Sequence, residues 1–316
     1  MFDYHCLGHH TFDASFNLAM EEALYRKSSE ENKAFLRFYS FPRDSIVYGY
    51  SQKTDKLING SLPYTRRMTG GTHIQVGPNT LAYSVIVPNP NENFGYLEME
   101  KMRAYYANRV ARAFDELGLR HLDVDNNAST INFNDKVVAS HAMFWGLKSA
   151  VFHGLVIINP YDAETMKQNI RLGYREINGK QYTEYSALKN IPALSSIDKG
   201  IWQEEENPTT SIIKRFVCSA IARQVMETYH SPYPIENITL NPSVLAEAQN
   251  LLTTKYNTNE WLHWRDPVFT TEKDLVQSIP GEELSGPLKL NQPYCMWLQV
   301  PDHKFKKMAD PELINH

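Results

Sequence analysis

The chain has 316 residues, 42% of them hydrophobic and 12% aromatic, enough for one large domain, or a domain with a small appendage, to close a core without staples. A net charge of −4 and a pI near 6.3 leave no global basic field, which argues against a protein that coats nucleic acid and makes any anion site local. Cys6, Cys218 and Cys295 are far apart with no CxxC pair, and no basic leader or apolar run of about 18 residues occurs, so the expectation is a soluble cytoplasmic protein with no disulfide framework, zinc site or membrane span.

Residues 12–27 have helical spacing, with Asp13 as cap and Phe16, Met20, Ala23, Leu24 and Lys27 on one stripe. Ala34–Tyr39 and Ser45–Tyr50 are β-rich runs around the turn composition Phe41-Pro42-Arg43-Asp44, which predicts an antiparallel pair. A further strand is expected at Leu81–Val87. The clearest helix is 98–118, where Met102, Tyr106, Val110, Ala113, Phe114 and Leu117 form one stripe and Gly118 ends it. Ile131–Phe133, Asn134-Asp135 and Lys136–Ala139 read as strand, tight turn and strand, and Val151–Ile158 as a fully buried strand. Residues 172–208 show no sustained period and read as a long excursion over the site. Residues 209–229 and 242–253 read as helices, the second with Pro242 in its first turn after Asn241. The irregular alternation fits α+β, with a mixed, largely antiparallel central sheet flanked by helices over residues 1–270. Residues 271–316 are few for an independent fold and read as a short extension, standing for a truncated or absent accessory domain.

The stretch of most chemical interest is Arg66-Arg67-Met68-Thr69-Gly70-Gly71-Thr72-His73-Ile74-Gln75-Val76. Glycine lets the main chain come close to a ligand so that successive N–H groups point at an anion, and guanidinium groups match phosphate or carboxylate. The same residues also fit an ordinary hairpin turn with two solvated arginines. His73 and Gln75 alternate with apolar neighbours and share one face, as pocket lining or as a structural pair. No His or Cys pair has metal-ligand spacing, so no protein-held metal is expected.

In order and spacing these parts resemble the lipoate-protein ligase and octanoyltransferase family, whose catalytic domain is shared with biotin-protein ligases. Its signature, Arg-Arg-x-Ser/Thr-Gly-Gly-Gly, an apolar stretch, His-Asp, then x-Gly-x-Leu-x-Tyr-Ser, is met at Arg66, Arg67, Thr69, Gly70, Gly71, Leu81, Tyr83 and Ser84. It is departed from at Thr72 (third Gly), Val76 (His), Gly77 (Asp) and Asn79 (Gly). Phe12–Leu24 is similar to the family's opening helix. Lys136-Val137-Val138-Ala139-Ser140 resembles its lysine segment, with Ala139 for Gly. Phe152-His153-Gly154-Leu155 resembles its His-Gly strand, and the run from Trp261 through Pro267 to Phe269 its closing segment.

The resemblance implies an enzyme that attaches lipoate, or a related acyl group, to a lysine of a carrier protein domain through an acyl-adenylate, using ATP and Mg2+. Lys136 would hold the acyl-phosphate. Arg66, Arg67, Thr69, Gly70, Gly71, Thr72, His73, Gln75, Asn127, Ser140 and His153 would surround substrate and nucleotide. No cysteine falls where an acyl-thioester enzyme of the superfamily carries one, which favours adenylate chemistry over an octanoyl or lipoyl transferase that uses no ATP. A third alternative is a degenerate relative that only binds ligand or carrier, since the departures lie in ligand-facing motifs. The short tail suggests a separate accessory protein for adenylation.

Overall fold

A computed structural model of the chain describes residues 2–54, 62–126, 129–133, 136–159, 174–177, 180–183, 210–227 and 240–263. The chain packs as two units, Met1–Thr271 and Glu272–His316, and every described residue belongs to the first. In chain order its elements are β1 (Tyr4–Thr11), α1 (Ala14–Glu31), β2 (Ala34–Ser40), β3 (Ser45–Tyr48), β4 (Tyr64–Arg66), β5 (Ile74–Val76), β6 (Thr80–Pro88), α2 (Pro90–Phe94), α3 (Met99–Glu116), β7 (Leu122–Asp125), β8 (Thr130–Phe133), β9 (Lys136–Trp145), β10 (Ser149–Ile157), β11 (Tyr174–Ile177), β12 (Lys180–Thr183), α4 (Thr210–Met226), α5 (Pro242–Leu251), a π-helical turn (Leu252–Tyr256) and α6 (Asn259–His263).

Seven strands form one sheet in the order β1-β2-β6-β10-β9-β8-β7, antiparallel except for the parallel β1–β2 pair. Strand alternation sends Phe38, Tyr83 and Phe152 to one face, where α3 and α4 cover them with Met102, Tyr106, Val110, Phe114, Ile213, Val217 and Ile221. Each large side chain so removed from water contributes about 1.5–3 kcal/mol, so this layer holds the sheet. The other face receives α1, whose Met20, Ala23 and Leu24 are buried as the spacing predicts.

That helix departs from the expectation in two ways. It is buried nearly all round, with Asn17, Glu21 and Glu22 inside. Asp13 stands at the N-cap, but its carboxylate pairs with Arg43 at 3.1 Å and caps nothing. The expected pairing of 34–39 with 45–50 is also overturned, because β2 lies between β1 and β6 while β3 is the centre of a separate three-stranded sheet, β4-β3-β5. The Phe41–Asp44 turn hands the chain from one sheet to the other. Within 172–208, read as an excursion, β11 and β12 form an antiparallel hairpin, and the rest lies outside the described residues. Asn241 caps α5, accepting from Ser243 N at 2.9 Å, with Pro242 next as expected.

Tyr83 and Gly154 are opposed in register on β6 and β10. A Cβ on Gly154 would lie 2.2 Å from the Tyr83 hydroxyl and 2.3 Å from its ring. Gly154→Ala is therefore expected to lose about 1–3 kcal/mol in urea unfolding by overpacking, and Tyr83→Leu in the same chain to recover part of the loss.

Candidate functional site

In the small sheet β3 pairs parallel with β4 and antiparallel with β5, so the loop after β3 (49–54) and the loop joining β4 to β5 (67–73) leave from the same end. Tyr50 N donates to Thr69 O at 2.9 Å and Arg67 N to Tyr48 O at 2.9 Å, which zips the two loops together.

The adjacent arginines face different tasks. The Arg66 side chain is fully buried, and its donors reach the carbonyls of Gly49, Tyr50 and Gln52 in the first loop and of Trp261 and Leu262 in α6, at 2.6–3.2 Å. Trp261 Nε1 donates back to Arg66 O at 2.9 Å. Arg66 thus clamps the closing segment onto the loop base.

Arg67 shapes the glycine loop. It donates to Thr69 Oγ1 at 2.9 Å, to Gly70 O at 2.6 and 3.2 Å, to Thr72 O at 2.8 Å and to Val47 O at 3.3 Å. In a trans peptide the next N–H points opposite the carbonyl, so the amides of Gly71 and His73 turn away from the guanidinium. Gly71 has φ 91°, and a Cβ there would meet Arg67 Nη2 at 2.9 Å. Gly70, Gly71 and Thr72 are exposed, whereas Arg67, which holds their carbonyls, is only 4% exposed. Burial lowers the Arg67 pKa to about 10, against the pull of Glu21 and Tyr39, so it remains a cation at neutral pH. Among the described residues no carboxylate contacts it.

Thr69 carries the loop into the core. Its Oγ1 lies 2.8 Å from His153 Nε2, and His153 Nδ1 lies 2.9 Å from both oxygens of Glu21. Ser84 and Tyr39 hydroxyls also donate to Glu21. Arg67 fills one acceptor position on Thr69, and Nδ1 of His153 donates to the Glu21 carboxylate. Arg37, Ser84, His153 and Ala142 lie in one register row across β2, β6, β10 and β9. Burial pushes Glu21 up, but the charge and hydrogen bond of His153, the Ser84 hydroxyl and Arg37 together hold it below the ordinary carboxylate value.

Of the other expected site residues, His73 faces Gln52, whereas Gln75 turns away to Asp44 at 3.4 Å, so the two do not share partners. Ser140 is opposed to Leu155 in register, two residues along β9 from Ala142 and hence on the His153 face. Lys136 opens β9 opposite Phe133, and Asn127 lies outside the described residues. Glu21 and Gln52 escaped the sequence reading. A signal for Glu21 exists, since Arg37, Ser84 and His153 each interrupt an otherwise apolar strand. Cys218 is core, its thiol pushed well up by burial, and Cys6 is half-buried. Among the described residues no group of three His, Cys, Asp or Glu is placed to hold a metal ion.

Because the folded Glu21 pKa is depressed, its contribution is present above the unfolded value, near 4.5, and is lost as pH falls through the lower folded value. Glu21→Gln should therefore destabilise at neutral pH, by about 1–3 kcal/mol in urea unfolding, and the gap to the native chain should narrow as pH is taken below the ordinary carboxylate range.

No curated protein matches the chain in sequence. Among solved structures, lipoate-protein ligase A bound with ATP superposes with a TM-score of 0.63 at 19% identity, covering 84% of this chain and 100% of that one. A bipartite lipoate protein ligase from Thermoplasma acidophilum, studied with its E2 lipoyl domain, gives 0.62 at 17% identity, covering 83% and 98%. LipL1 of P. falciparum in complex with lipoate gives 0.55 at 17%, covering 84% and 75%. At such identities these likenesses show the fold. The sequence profile of the lipoyl protein ligase A/B catalytic domain matches residues 13–200, which takes in the glycine loop, Lys136 and the His153 strand. The chain belongs to the lipoyl protein ligase A/B catalytic-domain family.

Proposed function

We propose that the chain attaches lipoate, or a close acyl analogue, to a lysine of a carrier protein domain through an acyl-adenylate. The observation that carries this reading is the buried Arg67 cation, which no carboxylate contacts among the described residues, beneath an exposed glycine loop whose Gly71 and His73 amides face away from that guanidinium. That geometry suits a carboxylate and a phosphate alike.

In the first step a lipoate carboxylate oxygen attacks the α-phosphorus of ATP, and the bond to pyrophosphate breaks. In the second the carrier lysine amine, losing a proton, attacks the acyl carbonyl and AMP leaves. Negative charge grows on the phosphoryl oxygens and then on the carbonyl oxygen, where oriented N–H groups stabilise it most. Gly70, Gly71, Thr72 and His73 would supply those groups, and Lys136 the ammonium that holds the acyl-phosphate. Ser140 and Asn127 would border the nucleotide, and Thr69 and His153 set the loop from below. Arg66 serves through the clamp on α6. Magnesium accompanying ATP would draw on the phosphates as well as on protein oxygens, and no step here is assigned to it. The core position of Cys218 favours adenylate chemistry over a protein thioester. The acceptor would be a lipoyl-type carrier domain, and we take the adenylation step to need a separate accessory protein.

The purified chain is to be given ATP, magnesium, lipoate and a carrier domain in one tube, and lipoyl-AMP with the carrier in another, with lipoylation read by mass spectrometry. Transfer from lipoyl-AMP is expected at once, and the ATP-driven reaction only after an accessory protein is added. Arg67→Ala and Lys136→Ala should each lower transfer by about 10²–10³-fold while the fold, read by circular dichroism, is retained in the Lys136 variant. Full activity in Lys136→Ala, or loss of activity in Cys218→Ser, would replace the adenylate reading with a covalent one.

A further inference from the structure

The face of the main sheet that turns away from Thr69 and His153 carries a group of polar side chains that the site does not use. Phe38, Tyr83, Gly154 and His141 lie in one register row across β2, β6, β10 and β9. Gly154 has no side chain, and the Tyr83 ring lies across its position, with the hydroxyl oxygen 2.2 Å from where a Cβ would stand. Opposed residues of an antiparallel pair have Cβ atoms about 4.5–5.5 Å apart, so that oxygen ends within about 8 Å of the His141 Cβ.

Arg103 reaches the same place from α3. His141 N donates to Ser129 O at 2.9 Å and Arg103 Nη1 donates to Ser129 Oγ at 3.0 Å, which sets the guanidinium beside His141. The Phe152 ring, two residues along β10 from Gly154, lies 5.1 Å from the imidazole and 6.2 Å from the Tyr83 ring and walls the group on that side.

Four atoms here are sealed from solvent and have no hydrogen-bond partner among the described residues: Tyr83 Oη, both ring nitrogens of His141 and Nε of Arg103. His141 is 6% exposed, and burial first, then the charges of Arg103 and His153, lower its pKa to about 4, so the ring is neutral at neutral pH. Whichever nitrogen holds the proton, a neutral imidazole presents one donor and one acceptor; Tyr83 O–H does both, and Arg103 Nε only donates. A buried polar group left without a partner costs more than a made bond gains. An anion would answer the donors but not the bare imidazole nitrogen, and the Arg103 charge is already met by Glu100. Water donates and accepts, and so answers all four.

We propose that ordered water is built into the core at this point, one or two molecules bridging Tyr83 Oη, the His141 imidazole and Arg103 Nε, and that it fastens α3 to β6 and β9. The site stands apart from the ligase reading and does not depend on it.

The test is X-ray diffraction from crystals of the full chain, at a resolution that shows ordered water, together with thermal unfolding. A water oxygen is expected within about 3.2 Å of Tyr83 Oη, and the same or an adjoining water within that distance of a ring nitrogen of His141. Tyr83→Phe keeps the ring that covers Gly154 and removes only the hydroxyl, so it should lower the melting temperature by about 2 °C. In Tyr83→Phe/His141→Phe the loss should fall short of the two single losses added, because both act on the same water. A dry core around His141, or a direct Tyr83–His141 hydrogen bond, overturns the proposal. So does a Tyr83→Phe chain that melts at or above the native temperature, since a hydroxyl with no partner is removed at no cost, and so do strictly additive losses.

Discussion

A guanidinium withdrawn from water has to be surrounded by acceptors, and the glycine loop of this protein is the set of acceptors that surrounds Arg67. Removing such a cation from water costs several kcal/mol, whereas hydrogen bonds to a charged group contribute about 1.5–3 kcal/mol each. Five are made here, to Thr69, Gly70, Thr72 and Val47, so the buried state wins, and it wins only with the loop in this shape. The orientation of the Gly71 and His73 amides, opposite the carbonyls that Arg67 holds, is then a by-product of satisfying the cation.

The same need for partners organises the layer beneath. Glu21 sits inside a helix buried on nearly all sides and is tolerable there because His153, Ser84 and Tyr39 all reach it. Glu22, its neighbour, is answered by Arg26, Lys255 and Tyr256 on the other side of α1. One helix therefore ties the main sheet to the π-helical turn through consecutive carboxylates. Lys255 also lies 3.9 Å over the Trp261 ring, so the segment that Arg66 clamps is held from both directions.

The long periodic elements were legible in the sequence. The α3 stripe of Met102, Tyr106, Val110, Ala113 and Phe114 is buried as its spacing implies, and the strands around residues 81–87 and 151–158 fall in the middle of the sheet. The pairing of β3 was not legible, because a turn between two β-rich runs reads alike whether the strands pair or part. Nor does a stripe analysis find polar groups inside, since Asn17, Glu21 and Glu22 look like the wet side of an amphipathic helix until the far side proves to be buried too. For the site, the Arg-Arg-x-Thr-Gly-Gly run pointed to the loop, but the two arginines part company in their partners: those of Arg67 are local, whereas Arg66 reaches carbonyls of α6 some 195 residues away. Gln52 has no signal of its own, because its place between Gly49 and His73 is decided only in three dimensions.

The clamp on α6 has a consequence for how the protein is made. Arg66 and Trp261 are 195 residues apart in sequence, and Glu22 and Lys255 are 233 apart. At a synthesis rate of about 5–20 residues per second, Arg66 waits some ten to forty seconds for its carbonyl partners. Through that interval the β3–β5 sheet is without its lid, with a buried-type cation and apolar strand edges open to solvent. Such long loop closures also slow folding from the complete chain. The nascent N-terminal half is thus the stage at which chaperones have most to hold, and a release of the chain before α6 emerges would leave the glycine loop without its foundation.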